Sequence, residues 1–187
     1  MNIKLNKLNL IFLIFTFSSI YLTGIIVYQD YGLNIDDPYY RYNGDYFYNF
    51  IKKFLLGDIS TSKFDFKKDL NIATPVLYEI IVSIICDILK ISEPKKIYEV
   101  SHLTNFSIFF LSLIFLYNII LTRFKNKLLS VLSVLILFLS PRIFSESFYN
   151  SRDIFFLSMT VVSIFFAQNY FNKNSFKNLV YCSLCFA

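Results

Sequence analysis

The sequence predicts an all-α membrane protein with several spans, and three observations carry that prediction. Of its 187 residues, 56% are hydrophobic and 20% aromatic but only 17% charged, a balance outside the range of soluble domains. Four Gly and four Pro against 23 Phe and 14 Tyr leave too few turn residues for a small all-β protein and too much apolar surface for a disordered chain. The apolar residues are also gathered into runs long enough to reach across a bilayer. The net charge of +5 does not point to nucleic acid, because the 18 basic residues are dispersed and flanked by acids rather than gathered in a stripe. Cys86, Cys182 and Cys185 are an odd set in apolar surroundings, which argues against a disulfide framework, and Cys182-x-x-Cys185 lacks the second ligand pair of a zinc site.

The first run, Leu8–Val27, is about 20 residues long and predicts a spanning helix. Lys4 and Lys7 give it a basic start, but its length and the lack of a small-x-small site favour an anchor over a cleaved signal peptide. Further runs follow at Pro75–Ile91, His102–Leu121, Leu128–Ser140 and Ile154–Phe171, and another begins near Leu179. If all of them crossed, Arg123, Lys125 and Lys127 would lie outside, against the tendency of Lys- and Arg-rich short loops to stay cytoplasmic. Pro75–Ile91 is the run to withdraw. It carries Glu79, Asp87 and Lys90, and a mid-bilayer Asp or Lys costs roughly 2.5–3.5 kcal/mol on the insertion scale.

The resulting path has spans at about 8–27, 102–122, 127–141 and 154–171, with the N-terminus cytoplasmic and outer loops at about 28–101 and 142–153. Lys4, Lys7, Arg123, Lys125, Lys127, Lys173 and Lys177 then fall inside with no acid among them, and all 13 acids fall outside. In the long loop, Phe47, Phe50, Ile51, Phe54 and Leu55 share one helical face, preceded by Tyr39, Tyr40, Tyr42, Tyr46 and Tyr48. This pattern suits an interfacial helix as well as one packed on the spans. Residues 58–74 are polar and read as a connecting loop. The Ile, Asn, Lys, Phe and Tyr bias suggests an AT-rich genome, and the expected location is a bacterial inner membrane.

Two segments could carry chemistry. In Asp30-Tyr-Gly-Leu-Asn-Ile-Asp36-Asp37-Pro38, adjacent carboxylates repel, so one can hold a raised pKa or share a cation, and a positioned carboxylate can act as a general base. The same residues also fit a helix N-cap with Pro38 in the first turn. In Leu139-Ser-Pro141-Arg142-Ile-Phe-Ser-Glu146-Ser-Phe-Tyr149-Asn150-Ser-Arg152-Asp153, two Arg and two acids stand at a membrane mouth. They suit a lipid-linked phosphate together with a divalent metal or a hydroxyl, with an interfacial Arg152–Asp153 pair as the plainer reading. His102, the single histidine, reads as a structural hydrogen-bonding group.

Together these segments resemble the GT-C membrane glycosyltransferases of family 39, the protein O-mannosyltransferase and aminoarabinose transferase group. Asp36-Asp37-Pro38 resembles the family's Asp-Glu motif, with Asp37 in place of Glu. Thr74-Pro75-Val-Leu-Tyr-Glu79 resembles the start of a juxtamembrane helix, and His102-Leu-Thr-Asn the opening of the next span, with Ser101 where Arg is usual. The Ser-Pro-Arg-Ile-Phe to Ser-Phe-Tyr-Asn-Ser-Arg-Asp run is the most specific piece.

The resemblance implies a polyprenyl-phosphate-linked sugar as donor, transfer with inversion to an acceptor hydroxyl, and Asp36 as the base. Asp37 would orient Asp36 or bind the acceptor, while Asp153, and similarly Glu79, would bind metal or substrate. Arg142 and Arg152 are the physical choice for the leaving phosphate, with Glu146 beside them as a metal or substrate ligand. The resemblance also implies that the chain is the N-terminal part of a longer enzyme and inactive alone. A transporter, the main rival, predicts broken helices with ionisable residues near the midplane; after Gly57 the chain has no glycine, and the sequence shows no such break. A non-catalytic membrane subunit is the third reading.

Overall fold

In a computed structural model that describes residues 7–56 and 76–186, the chain forms eight helices and no strand among the described residues. They are α1 (Lys7–Val27), α2 (Asp37–Leu55), α3 (Leu77–Leu89), α4 (Pro94–Phe124), α5 (Lys127–Phe138), α6 (Pro141–Tyr149), α7 (Ser151–Lys173) and α8 (Phe176–Phe186). Lys4, the connecting loop expected over 58–74 and the Thr74-Pro75 step lie outside the described residues. Three helices, α1, α4 and α7, are long and apolar enough to cross a bilayer, as a membrane protein requires.

The path differs from expectation at the third span. The apolar run was expected to continue to 141, but α5 stops at Phe138, and its 12 residues reach only about 18 Å of a hydrocarbon core of roughly 30 Å. The cause is local. Pro141 has no N–H to continue the ladder and biases the residue before it away from helix, and Ser140 is accordingly extended, with φ −63° and ψ 114°. Helix then resumes as α6, bent 65° from α5. The chain therefore does contain a broken helix pair, with Arg142 directly after the break.

The residues group into two units, 1–31 with 102–187 and 32–101. In the first, Ile20, Phe106, Phe109, Leu113, Tyr117, Val131, Val134, Phe138, Phe148 and Ile154 form the core. Aromatic rings do much of the packing: Phe106 stacks on Phe148 at 4.9 Å and Phe148 on Tyr31 at 4.3 Å, while Phe17 meets Phe110 and Tyr117 edge-on at 6.0 Å. Gly24 lets α1 approach α4 this closely, since a Cβ there would lie 1.9 Å from the Phe106 ring. Buried Ser112 and Ser130 donate back to the carbonyls of Phe109 and Asn126 one turn earlier, while Ser163 donates across to the carbonyl of Cys182 in α8, as small polar residues do between membrane helices. The outward side of α1 is as apolar as its inward side, with Ile11, Phe15 and Ile26 exposed, the pattern of a helix solvated by lipid.

In the second unit, α2 packs on α3. At 13 residues α3 is about 20 Å long, too short to cross the hydrocarbon core. It ends in a Schellman-type turn with Lys90 in the left-handed region at φ 54°, the amide of Ile91 reaching the Cys86 carbonyl at 2.9 Å. Gly44 brings the two helices together, because a Cβ at this position would sit 2.3 Å from that of Glu79 and 3.0 Å from its carbonyl carbon.

Candidate functional site

The residues singled out from sequence fall in both units. Asp36, Asp37 and Glu79 belong to the second, and Arg142, Glu146, Arg152 and Asp153 to the first.

Asp36 stands at the N-cap position of α2, as its neighbour Pro38 suggests, but its backbone is helical (φ −87°, ψ −12°) and its side chain makes no capping bond. Its backbone carbonyl accepts the amides of Tyr39 and Tyr40, and its carboxylate stays exposed, with Oδ2 accepting the Tyr40 hydroxyl at 3.2 Å. Asp37 does the local structural work instead: its Oδ2 accepts the amide of Asn34 at 2.6 Å and closes the turn that precedes the helix. The adjacent acids thus have different tasks, one holding the loop and the other presented to the surroundings.

Glu79 is 7% exposed and lies in the seam between α2 and α3. The Arg41 guanidinium, 8% exposed, reaches 3.7 Å from the Glu79 carboxylate, donates to its backbone carbonyl at 3.5 Å, and also bonds Asp45 and Ser83. Ser83 in turn donates to Asp45 at 2.8 Å. Farther along the seam, Asp87 accepts from Lys52 at 2.8 Å and from the Tyr48 hydroxyl. Tyr78, whose hydroxyl is pushed well up by burial, donates to the carbonyl of Ser101 at 2.6 Å and so ties α3 to α4. Sequence reasoning missed Arg41, for which the Arg41-x-x-x-Asp45 spacing was the available signal, and counted Tyr40 only among the interfacial tyrosines. Asn43, 1% exposed on the side of α2 turned away from Arg41, has neither amide atom hydrogen-bonded within the described residues.

The seam's outer pair responds to pH in a definite direction. Hydrogen bonds from Lys52 and then Tyr48 hold Asp87 below its ordinary value of 3.8, and the bond to Asp87 raises Lys52 above 10.5. The Asp87 contribution is therefore complete above 3.8 and disappears as pH falls through its lowered value, whereas the Lys52 contribution is complete below 10.5 and disappears as pH rises through its raised one. Amide-exchange protection of residues 83–87 is expected to be flat between these limits and to fall beyond either of them. Equal protection at about pH 2 and pH 7 would show that the pair adds nothing.

In the first unit, the turn after α5 gathers the second set. Arg142 Nε donates to Glu146 at 2.9 Å across one turn of α6, with the Arg142 side chain 84% exposed and that of Glu146 18%. Asn150 caps α7: its Oδ1 accepts the Asp153 amide at 3.2 Å and its Nδ2 donates to the Asp153 carboxylate at 2.9 Å, a reciprocal arrangement legible in the Asn-x-x-Asp spacing. Asp153 is exposed and Arg152 half-buried beside it. His102 Nδ1 lies 3.3 Å from the Tyr28 carbonyl, and Asn105 donates to that of Phe148 at 3.5 Å, so His102 has the structural setting expected of it. Burial, then Tyr149 and Asp30, push the Tyr31 hydroxyl up.

Chemically, the second unit offers an exposed carboxylate with a hydroxyl bonded to it, and the first an outward-facing guanidinium flanked by acids. Among the described residues no three His, Cys, Asp or Glu side chains gather closely enough to hold a metal ion. Set beside known proteins, the chain matches no family model, no curated protein and no solved structure.

Proposed function

We propose that the chain belongs to a membrane glycosyltransferase that moves a sugar from a polyprenyl-phosphate donor to an acceptor hydroxyl on the non-cytoplasmic side of a bacterial inner membrane. The observation that carries this reading is the state of Asp36, a carboxylate left exposed at the head of α2 and not consumed by the helix it caps. Asp36 takes the acceptor's O–H proton as that oxygen attacks the anomeric carbon from the face opposite the phosphate. The carbon–oxygen bond to phosphate breaks, its electron pair leaves with the phosphate, and the anomeric centre inverts. Arg142 and Arg152 stabilise the charge that develops on the departing group, because a guanidinium donates two parallel bonds to a phosphate. Asp37 holds the turn that carries Asp36, Glu146 orients the Arg142 guanidinium, and Asp153, held by Asn150, binds substrate.

The bent α5–α6 pair favours a second reading, a transporter, since broken helices with ionisable residues beside the break are what that class uses. Donor binding separates the two. In membranes carrying the intact gene product, Arg142→Ala is expected to weaken binding of a polyprenyl-phosphate sugar by about tenfold or more, the cost of losing a charge-assisted contact of about 1.5–3 kcal/mol. Unchanged donor affinity in that variant would remove the phosphate role, and no saturable donor binding in the parent protein would leave the transporter reading in its place.

A further inference from the structure

Helices α4 and α7 run side by side in the same direction. Phe115 of α4 meets Phe165 of α7 with ring centroids 5.0 Å apart, and one turn farther on Gln168 Nε2 donates to the Ile119 carbonyl at 3.3 Å. Carried back toward the helix starts, this register sets Ser158 level with Ile108, about one turn along from Asn105. Both residues lie on buried faces. Ser151, Ile154, Ser158 and Val161 form that of α7, spaced three, four and three apart, and Asn105, Phe109 and Ser112 belong to that of α4, spaced four and three. Ser158 is 1% exposed and Asn105 0%.

Asn105 Oδ1 and the Ser158 hydroxyl oxygen have no hydrogen-bond partner among the described residues. The polar groups beside them are satisfied: Ser112 donates to the Phe109 carbonyl at 2.7 Å, and Asn105 Nδ2 to that of Phe148 at 3.5 Å. The second of these bonds fixes the amide. Turning it over would set Oδ1 against the Phe148 carbonyl oxygen, so Oδ1 remains the branch that needs a donor. Both helices are long and apolar enough to cross the bilayer, where a polar group buried between them reaches neither bulk water nor any donor in the lipid tails.

We infer that a water molecule is held between α4 and α7, donating to Asn105 Oδ1 and hydrogen-bonded to the Ser158 hydroxyl. A step of one turn between neighbouring helices, about 4.5 Å along the axis, is a gap that one water spans. Water also suits the groups: Oδ1 only accepts, a hydroxyl both donates and accepts, and water completes the pair whichever way the hydroxyl turns. A calcium or magnesium ion suits them poorly, since two oxygens fall well short of the six or so ligands such ions take. The water joins α7 to the same Asn105 side chain that holds the last turn of α6, and so helps to fix the bend between α6 and α7. It does so whether or not the chain transfers sugar.

The test reads the full chain in detergent micelles. Ser158→Ala is a mild change within a helix, so the sign of its effect is informative. Removing a hydroxyl that holds a bridging water is expected to lower the thermal midpoint by about 2–4 °C. In the Asn105→Leu background, where the bridge is already gone, the same change is expected to leave the midpoint unchanged or to raise it. X-ray radiolysis, which makes hydroxyl radicals wherever water is bound, is expected to hydroxylate Phe109 in the parent although it is 0% exposed, and that signal is expected to be lost when both substitutions are present. A midpoint that rises or stays put on Ser158→Ala in the parent would overturn the inference, as would an equal drop in the two backgrounds. Coupled midpoints without hydroxylation of Phe109 would overturn it in favour of a direct bond between the two side chains. Should Asn105→Leu fail to fold, the sign of Ser158→Ala and the labelling of Phe109 in the parent still decide.

Discussion

Asp36→Asn is expected to lower sugar transfer by the intact gene product by about 10²–10⁴-fold, with protein abundance and helix content unchanged. The substitution keeps the size and planarity of the side chain and removes only its capacity to take a proton. Because Asp36 makes no side-chain capping bond, α2 loses nothing from its first turn, and the amide oxygen still accepts the Tyr40 hydroxyl. Asp37→Asn is the instructive companion. It weakens the bond to the Asn34 amide, so its effect should be smaller on turnover and larger on the order of the turn. Turnover near that of the parent in Asp36→Asn would end the base assignment; a large loss in Asp37→Asn alone would move it to the neighbouring residue.

The second large effect concerns stability. Arg41→Met is expected to destabilise the α2–α3 pair by about 3–5 kcal/mol, because it removes the buried guanidinium that joins the Glu79 carboxylate, with its side chain only 10% exposed, to Asp45. Asp45 is half exposed and contributes little of that loss. Arg41→Met combined with Glu79→Met should recover most of the deficit, since a well-packed apolar pair is about as stable as a buried ion pair once both charges are gone. Protease resistance of residues 37–89 in reconstituted membranes reads both variants. A single variant as resistant as the parent would show the Arg41–Glu79 contact to be incidental.

Much of this architecture is legible before folding because lipid, as a solvent, selects on local composition. A run such as Leu10–Val27 must satisfy its own backbone within one helix, so its length and apolarity are sufficient to identify it. The start of α2 was equally readable, since Asp-Asp-Pro offers a turn and then a fixed φ. The break before Pro141 was present in the sequence as a proline but was outweighed by the apolar run that leads into it. The seam was not readable. Its partners lie 35 to 42 residues apart, and composition alone counts Glu79 and Asp87 as charges without their counterions.

The sequence by itself determined that this chain is helical and belongs in a membrane, that the runs forming α1, α4 and α7 are long enough to cross it, and which acids and arginines stand outside the long apolar runs, because each of these follows from neighbours along the chain. Only the tertiary structure decided that Asp37 is committed to a turn while Asp36 is presented, and that Glu79 is a counterion within the seam between α2 and α3. Those outcomes depend on which helix face meets which, and a charge acquires its cost or its use only from the groups that folding brings beside it.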